Sequence, residues 1–405
     1  MKLYEYEGKQ LWKEYSIPIP ESLVLTKTEL GTATVSQDWP GYVIKAQTLD
    51  GNRAKRGLIA YAKHPQEAQE KALSMLQQSE GGVHLEKILI ERQTDHTQAV
   101  YLSITYSTAT RTPILLMAVN GGTGIERKLA DIARYTINPL VGLHPANIRQ
   151  LAYHIGLTTE QVKSLVPLAM QLWRCFYEKD CTLAEINPLV ADTDKTWCAL
   201  DAKVELDDQA TFRRKNHNFV PRNNMDRLPT ASELAAWQID TNDHRGVAGS
   251  SYIDLEGEIA ILASGGGASL ACMDALIAHG GKPANYTEYS GNPPREKVRR
   301  LTEVVLSKPN LSGCWVVGVA ANFTDIFETL SGFLEGVRNI KPKPAYPFLI
   351  RRAGPNDKKA FQLLRDAAKN EGYDFHLYGA ETPMISTAKM MIDLVTQYKD
   401  NGNTD

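Results

Sequence analysis

From Glu258 onward short apolar runs alternate with helix-length stretches across polar or glycine-rich turns, without a visible internal repeat in sequence. The apolar runs 258–263, 314–320, 346–350 and 375–378 read as strands. The intervening segments read as helices at 270–279, from Asn322-Phe323-Thr324 to about Val337, and at 357–370, with a last helix opened by Glu381-Thr382-Pro383. Strands alternating with helices predict a parallel, doubly wound sheet. In such a sheet ligands bind outside the carboxyl ends of the strands. Four of those ends carry Ser264-Gly265-Gly266-Gly267-Ala268-Ser269, Asn322-Phe323-Thr324, Arg351-Arg352 and Glu381-Thr382. Glycines let backbone amides approach an anion at a helix N-terminus. Asn322 and Thr324 either cap their helix or bind a ligand hydroxyl or carboxylate. An arginine at a strand end suits bidentate recognition of a carboxylate. Four polar ends in one domain favour an anionic small-molecule site over helix caps and surface charge.

The first half is organised differently. Residues 4–15 form an amphipathic helix closed by Pro18 and Pro20. Strand-like and helix-like segments then alternate to about Glu205, with buried strands at 41–46 and 87–91, further strands at 99–105 and 113–118, and a helix over 159–178. Glu185-Ile186-Asn187-Pro188-Leu189 and Ala199-Leu200-Asp201 flank a polar turn at 192–195, the pattern of a β-hairpin. Its pairing brings Asn187 and Asp201 to neighbouring places on one face, with Glu185 on the same face as Asn187. An amide oxygen and a carboxylate are hard ligands of the kind Mg²⁺ takes when phosphates and water complete its shell; the alternative is a hairpin with solvated polar residues. Lys45 ends an apolar strand within reach of nucleotide phosphates, the Gly51–Gly57 stretch containing Arg53 is placed to close over them, and Glu91 ends a strand near an adenine edge. Residues 206–228 read as a polar connection with little core, and 229–241 as a helix. The expected division is therefore 1–228, 229–398 and a disordered tail, 399–405.

Composition narrows the function classes. With 405 residues, 43% hydrophobic and 23% charged, the chain suits a soluble globular enzyme of two or more domains. A formal net charge of -2 gives no bulk attraction to nucleic acid or anionic membrane. The N-terminal residues hold no apolar signal core, and no run approaches the roughly 20 apolar residues of a membrane span. The five cysteines are scattered without a Cys-x-x-Cys pair, so neither a zinc site nor a disulfide framework is expected and a cytoplasmic setting is. The nine histidines are scattered too, none within a glycine loop.

Together these residues resemble the ATP-grasp acyl-CoA ligases, specifically the β subunit of succinyl-CoA synthetase and the matching part of ATP-citrate lyase, over nearly the whole chain. Tyr4-Glu5-Tyr6-Glu7-Gly8-Lys9-Gln10-Leu11 is similar to that family's N-terminal helix, Val43-Ile44-Lys45-Ala46-Gln47 to its nucleotide-binding lysine strand, Ile90-Glu91 to its adenine hinge, and Glu185–Leu189 with Leu200-Asp201 to its magnesium hairpin. The resemblance implies an N-terminal ATP-grasp domain followed by a flavodoxin-like CoA-ligase domain. It implies Mg²⁺ on Asn187 and Asp201, ATP and CoA as substrates, and Glu185 facing a phosphohistidine. That histidine belongs to a separate α-type subunit, which also carries the CoA-binding domain. The second half, with Ala284–Gly291, Asn322-Phe323-Thr324, Arg351–Asn356 and Tyr378–Thr382, resembles ATP-citrate lyase more than succinyl-CoA synthetase. By that likeness Asn322, Thr324 and Arg352 bind citrate, with Gly266 and Gly267 as amide donors. Citrate exceeds succinate by one carboxylate and one hydroxyl, so its pocket needs more fixed donors. The expectation is an ATP-dependent carboxylate–CoA ligase subunit acting on citrate or a related acid. A succinate–CoA ligase β subunit and a catalytically inactive citrate-sensing subunit remain as alternatives.

Overall fold

The computed structural model describes all residues except 50, 52, 78, 81–82, 120, 123–131, 192–195, 215–218, 221, 223–227, 242 and 403–405. They form two compact units, Met1–Leu228 and Pro229–Asp405.

Among the described residues the first unit contains two larger antiparallel sheets and one two-stranded pair. Helix α1 (Glu5–Glu14) precedes β1 (Ser22–Thr26), α2 (Lys27–Leu30), β2 (Tyr42–Ala46), β3 (Ile59–Ala62), α3 (Pro65–Gln77), the short pair β4 (Ser79–Glu80) and β5 (Val83–His84), and β6 (Lys87–Arg92). The first sheet runs β1-β6-β2-β3. Its apolar face, with Ile44, Ile88 and Ile90, packs on Ala68, Ala72 and Leu76 of α3. The four-residue spacing of Ala68, Ala72 and Leu76 puts them on one helix face. The second sheet collects β7 (Gln98–Ser107), β8 (Thr112–Val119), β9 (Ala133–Thr136), β10 (Cys181–Ala191) and β11 (Trp197–Ala199) in the order β11-β10-β7-β8-β9, and β12 (Lys203–Leu206) also pairs with β10. Helices α4 (Pro145–His154) and α5 (Thr159–Glu178) cover it together with Leu11 and Trp12 of α1. The sequence did not reveal β1, β3, β9 or β12, which are short and lack a long apolar run.

Two arginines within 206–228 are better anchored than the reading of that stretch as a connection with little core implied. The buried Arg222 donates to both carboxylate oxygens of Glu7, at 2.5 and 2.8 Å, and lies 4.7 Å from the Tyr4 ring centroid. Arg214 is also buried and donates to the Asp207 carbonyl at 2.6 Å.

The second unit begins with α6 (Ala231–Trp237), capped by Thr230 and shorter than the expected 229–241. The antiparallel pair β13 (Ile253–Asp254) and β15 (Asn285–Tyr286) forms a small sheet of its own, and the main elements are β14 (Ile259–Ser264), α7 (Gly266–Ala278), α8 (Arg295–Leu306), β16 (Gly313–Ala320), α9 (Ile326–Asn339), β17 (Phe348–Ala353), α10 (Asp357–Glu371), β18 (Phe375–Tyr378) and α11 (Thr387–Gly402). Strands β14-β16-β17-β18 are parallel neighbours. Isolated parallel bridges Ile259↔Pro283 and Ala263↔Glu288 place the 283–288 segment on the other edge of β14. Counted in chain order, the arrangement is 2-1-3-4-5, the flavodoxin-like winding. The winding reverses between β14 and β16, and the crevice at such a switch point is where this fold binds ligands.

Alternation along each strand sends successive side chains to opposite layers. Leu262, Val316 and Ile350 join α8, α9 and α10 in one layer. Ile261, Val317 and Leu349 join α7 and α11 in the other. Two boundaries differ from the sequence reading in ways that matter for the site: α7 starts at Gly266 rather than Leu270, and β17 continues through Arg351 and Arg352 to Ala353. Helix α11 starts later than Glu381, and residues 399–402, expected as part of a disordered tail, continue it.

Candidate functional site

In the first unit, one register explains the hairpin. Leu189 pairs with Ala199 on β11, Glu185 pairs with Lys203 on β12, and the Leu200 amide donates to the Pro188 carbonyl at 3.1 Å. In every one of these pairs the residue numbers have the same sum, so Asn187 falls opposite Asp201. The polar turn expected at 192–195 lies outside the described residues. The Tyr101 hydroxyl donates to Glu185 Oε2 at 3.0 Å. Asn187 Oδ1 accepts the Gly122 amide at 2.6 Å, and Asp201 Oδ1 accepts Arg53 Nη2 at 2.9 Å and the Ala202 amide at 2.8 Å. Among the described residues no trio of His, Cys, Asp or Glu stands together as a metal site. A magnesium ion takes only one or two protein carboxylates beside phosphate and water. An amide and a carboxylate on opposed hairpin residues, with the Asp201 side chain 32% exposed, fit that demand.

The expected nucleotide residues converge on two partners the sequence reading did not single out, Glu5 and Lys9 of α1. Lys45 Nζ contacts Glu5 Oε1 at 2.7 Å, Glu91 Oε2 at 2.6 Å and the Leu200 carbonyl at 2.6 Å. Lys9 Nζ contacts Glu5 Oε1 at 2.7 Å, the Leu200 carbonyl at 2.9 Å, and Glu91 Oε1. Arg53 links Glu5 Oε2, at 2.5 Å, to Asp201. Three carboxylates thus balance three cations, and Glu5, Lys9, Lys45 and Glu91 are buried. Burial alone would raise the Glu5 carboxyl, but Arg53, Lys45 and Lys9 outweigh it and hold the group well below the usual carboxylate range. Burial likewise opposes the Lys45 charge, and Glu5, Glu91 and Asp201 reverse that and raise it. A signal was available: Glu5 and Lys9 are four apart on a helix whose Leu11 and Trp12 pack into the core.

In the second unit, three strand ends meet. Gly265, at φ 97°, takes a backbone conformation other residues rarely adopt, and turns the chain from β14 directly into α7. Gly266 and Gly267 therefore occupy the first turn of α7, where amides have no intrahelical acceptor. A Cβ on either would meet nothing within 4 Å, so the space beside them is open. At the end of β16, the helix cap is neither Asn322 nor Thr324. Asp325 takes that role, accepting the Phe327 and Glu328 amides at 2.9 and 3.2 Å.

The third end separates the two arginines. Because β17 continues through both, they point to opposite layers. Arg351 is engaged by carbonyls: Nε donates to Thr382 at 2.9 Å and Nη1 to Gly318 at 2.7 Å. Arg352 is 0% exposed, and none of its three guanidinium nitrogens has a hydrogen-bond acceptor. Its guanidinium lies 5.4 Å from the Tyr289 ring centroid. It crosses Gly318 so closely that a Cβ there would stand 1.9 Å from Nη1. Gly318 pairs with Ser264, the last residue before the glycine turn. The unpaired guanidinium thus reaches toward the glycine turn at the switch point. Burial and the neighbouring Arg352 charge lower the Arg351 pKa. Tyr289 and Gly318 were not anticipated from sequence; the alternation from Leu262 to Ser264 and from Val316 to Gly318 marks Gly318 as facing the same layer as Arg352.

The chain is similar to several known proteins. Residues 2–191 match the ATP-grasp domain family, and residues 233–394 match the family described as ATP citrate lyase citrate-binding. The ADP-forming succinate–CoA ligase β subunit of Roseiflexus sp. is 30% identical over 374 residues, covering 91% of this chain and 94% of its own. That of Desulfurococcus amylolyticus is 31% identical over 376 residues, covering 90% and 93%. Among solved structures, ATP citrate lyase from Methanothrix soehngenii in complex with citrate and coenzyme A aligns with TM-score 0.82 at 22% identity, over 97% of this chain and 99% of that one. At that identity the likeness concerns the fold. All five cysteines are free, and no helix of the described residues is long and apolar enough to cross a membrane.

Proposed function

We infer the activity from one premise: this chain belongs to the family of ADP-forming succinate–CoA ligase β subunits, with an ATP-grasp domain and a citrate-binding-type second domain. Within that family of acid–CoA ligases, the reading favoured here is a subunit that activates citrate, or a close tricarboxylate, for transfer to CoA. ATP binds in the first unit and its terminal phosphoryl group passes to a histidine of an α-type partner. Glu185, held by Tyr101, orients that imidazole through its N–H. The phosphoryl group then passes to a substrate carboxylate, and the CoA thiol displaces phosphate from the acyl phosphate to leave a thioester. Asn187 and Asp201 are the residues to hold Mg²⁺, which when bound neutralises charge on the nucleotide phosphates.

The observation that carries the citrate reading is Arg352. A buried guanidinium without an acceptor costs free energy unless a ligand supplies one, and a carboxylate matches its planar fork. Gly266 and Gly267 supply amides to the same ligand, and Asn322 and Thr324, not needed as caps, supply side-chain groups. Succinate is the second reading, favoured by the names of the relatives in sequence. Calorimetry on the full chain with citrate and with succinate tests it, with Arg352→Ala as control. Citrate binding abolished by Arg352→Ala, with succinate weak, is the expected result. Preferred succinate binding would replace the citrate reading.

A further inference from the structure

Lys9 and Lys45 make the same three contacts. Each ammonium touches Glu5 Oε1, the Glu91 carboxylate and the Leu200 carbonyl. An ammonium has three N–H donors, so in this arrangement Lys45 has none left for a phosphate. The chemistry of the site demands that it have one. Were Lys45 the only lysine here, pulling it away would leave Glu91 without a cation and Glu5 with Arg53 alone, and breaking a buried pair in that way is strongly destabilising. The second lysine removes the difficulty. With Lys45 gone, Lys9 still reaches both carboxylates and the carbonyl, while Arg53 keeps the other oxygen of Glu5. Lys45 is also the more exposed of the two side chains, 9% against 3%. It sits next to Arg53, whose guanidinium has further N–H donors beyond those facing Glu5 and Asp201.

We propose that Lys9 is a positioning residue for the nucleotide site: it duplicates the contacts of Lys45 so that Lys45 is released to the nucleotide phosphates while Glu5, Glu91 and the Leu200-Asp201 turn stay neutralised and in place. The inference rests on the reading of the first unit as a nucleotide site. Lys9 touches no nucleotide in this scheme and acts only through Lys45 and the Leu200 carbonyl.

The test is titration of the full chain with Mg-ATP, with the melting temperature of each variant recorded. Lys45→Met loses affinity because the phosphate ligand is gone. Lys9→Met loses affinity by about tenfold or more, or about 1.4 kcal/mol and upward, because Glu5 and Glu91 then hold Lys45 in the buried arrangement. Adding Glu5→Gln to Lys9→Met loosens that hold and restores much of the affinity, a rescue that a merely structural role for Lys9 would not give. Lys9→Arg, which keeps the charge, retains affinity near the parent. If Lys9→Met does not fold, Lys9→Gln, which also removes the charge, carries the test, with the same loss and the same recovery on adding Glu5→Gln expected. Unchanged affinity in Lys9→Met, or no recovery in the double variant, overturns the proposal. Unchanged affinity in Lys45→Met instead overturns the nucleotide reading of this site.

Discussion

Replacing Arg352 by methionine is expected to stabilise the ligand-free chain while removing its carboxylate affinity. The guanidinium is 0% exposed, and all three of its nitrogens lack acceptors. Replacing buried ionic groups by apolar ones of similar volume is often stabilising, by about 1–4 kcal/mol. Methionine follows the same stem across Gly318 and beside Tyr289 without bringing a charge. Some of the gain is offset by the lost cation–π contact with Tyr289, which is worth roughly 1–2 kcal/mol when desolvated. A net gain of about 1 kcal/mol raises the melting temperature of a unit of this size by roughly 2–4 °C. Ligand acts in the opposite sense. At a concentration of 100 Kd, citrate stabilises the parent by about 2.7 kcal/mol, or roughly 5–10 °C. Melting curves with and without citrate should therefore cross: the variant melts higher alone, and the parent melts higher in saturating citrate. A variant that melts lower than the parent without ligand, yet keeps the full citrate shift, would refute the reasoning, because Arg352 would then be a structural residue with partners of its own.

Gly318→Ala is expected to lose citrate affinity, since the added Cβ would stand 1.9 Å from Arg352 Nη1 and 2.8 Å from Ser264 Cβ; calorimetry checks this, and unchanged affinity would show that the guanidinium need not cross the strand there. Asn322→Ala should weaken citrate binding while leaving stability within about 0.5 kcal/mol, whereas Asp325→Ala should cost about 1 kcal/mol as a lost helix cap; parallel melting and binding curves separate the two roles. Asp240 accepts the Ala248, Gly249 and Ser250 amides and an ion pair from Lys297 at 2.9 Å. Burial opposes its charge, but Lys297 and the amides prevail and lower its pKa. Its contribution to stability is therefore present above the unfolded value of about 3.9 and is lost as pH falls through the lower folded value. Asp240→Asn should cost about 1–3 kcal/mol at pH 7, with the gap to the parent closing in acid as pH falls through the lowered folded value; a gap that stays constant down to acid pH would mean that the charge is not the source.

Much of this fold is written locally. Strand and helix periods in the second half survive any context, because a short apolar run between polar turns has few ways to bury itself, so alternation and winding follow from the sequence. The hairpin register is equally local, since a turn flanked by apolar runs fixes which residues face each other, and Asn187 opposite Asp201 follows. Short edge elements such as β9 and β12 were not legible, because four residues without a long apolar run carry too little period of their own to mark a strand.

What tertiary structure decided is which of the chemically equivalent residues are satisfied. Arg351 and Arg352 are adjacent and alike in sequence, but the last two residues of strand pairing send one among the carbonyls of Thr382 and Gly318 and leave the other without an acceptor. Lys45 reads as a phosphate ligand from its strand alone. Only the order β1-β6-β2-β3, with α1 packed beside it, brings Glu5, Lys9 and Glu91 around it. Residue type and spacing determined what chemistry the chain can perform. Desolvation and long-range pairing, which no local pattern encodes, decided which groups are held in reserve for a ligand and which are spent on the fold.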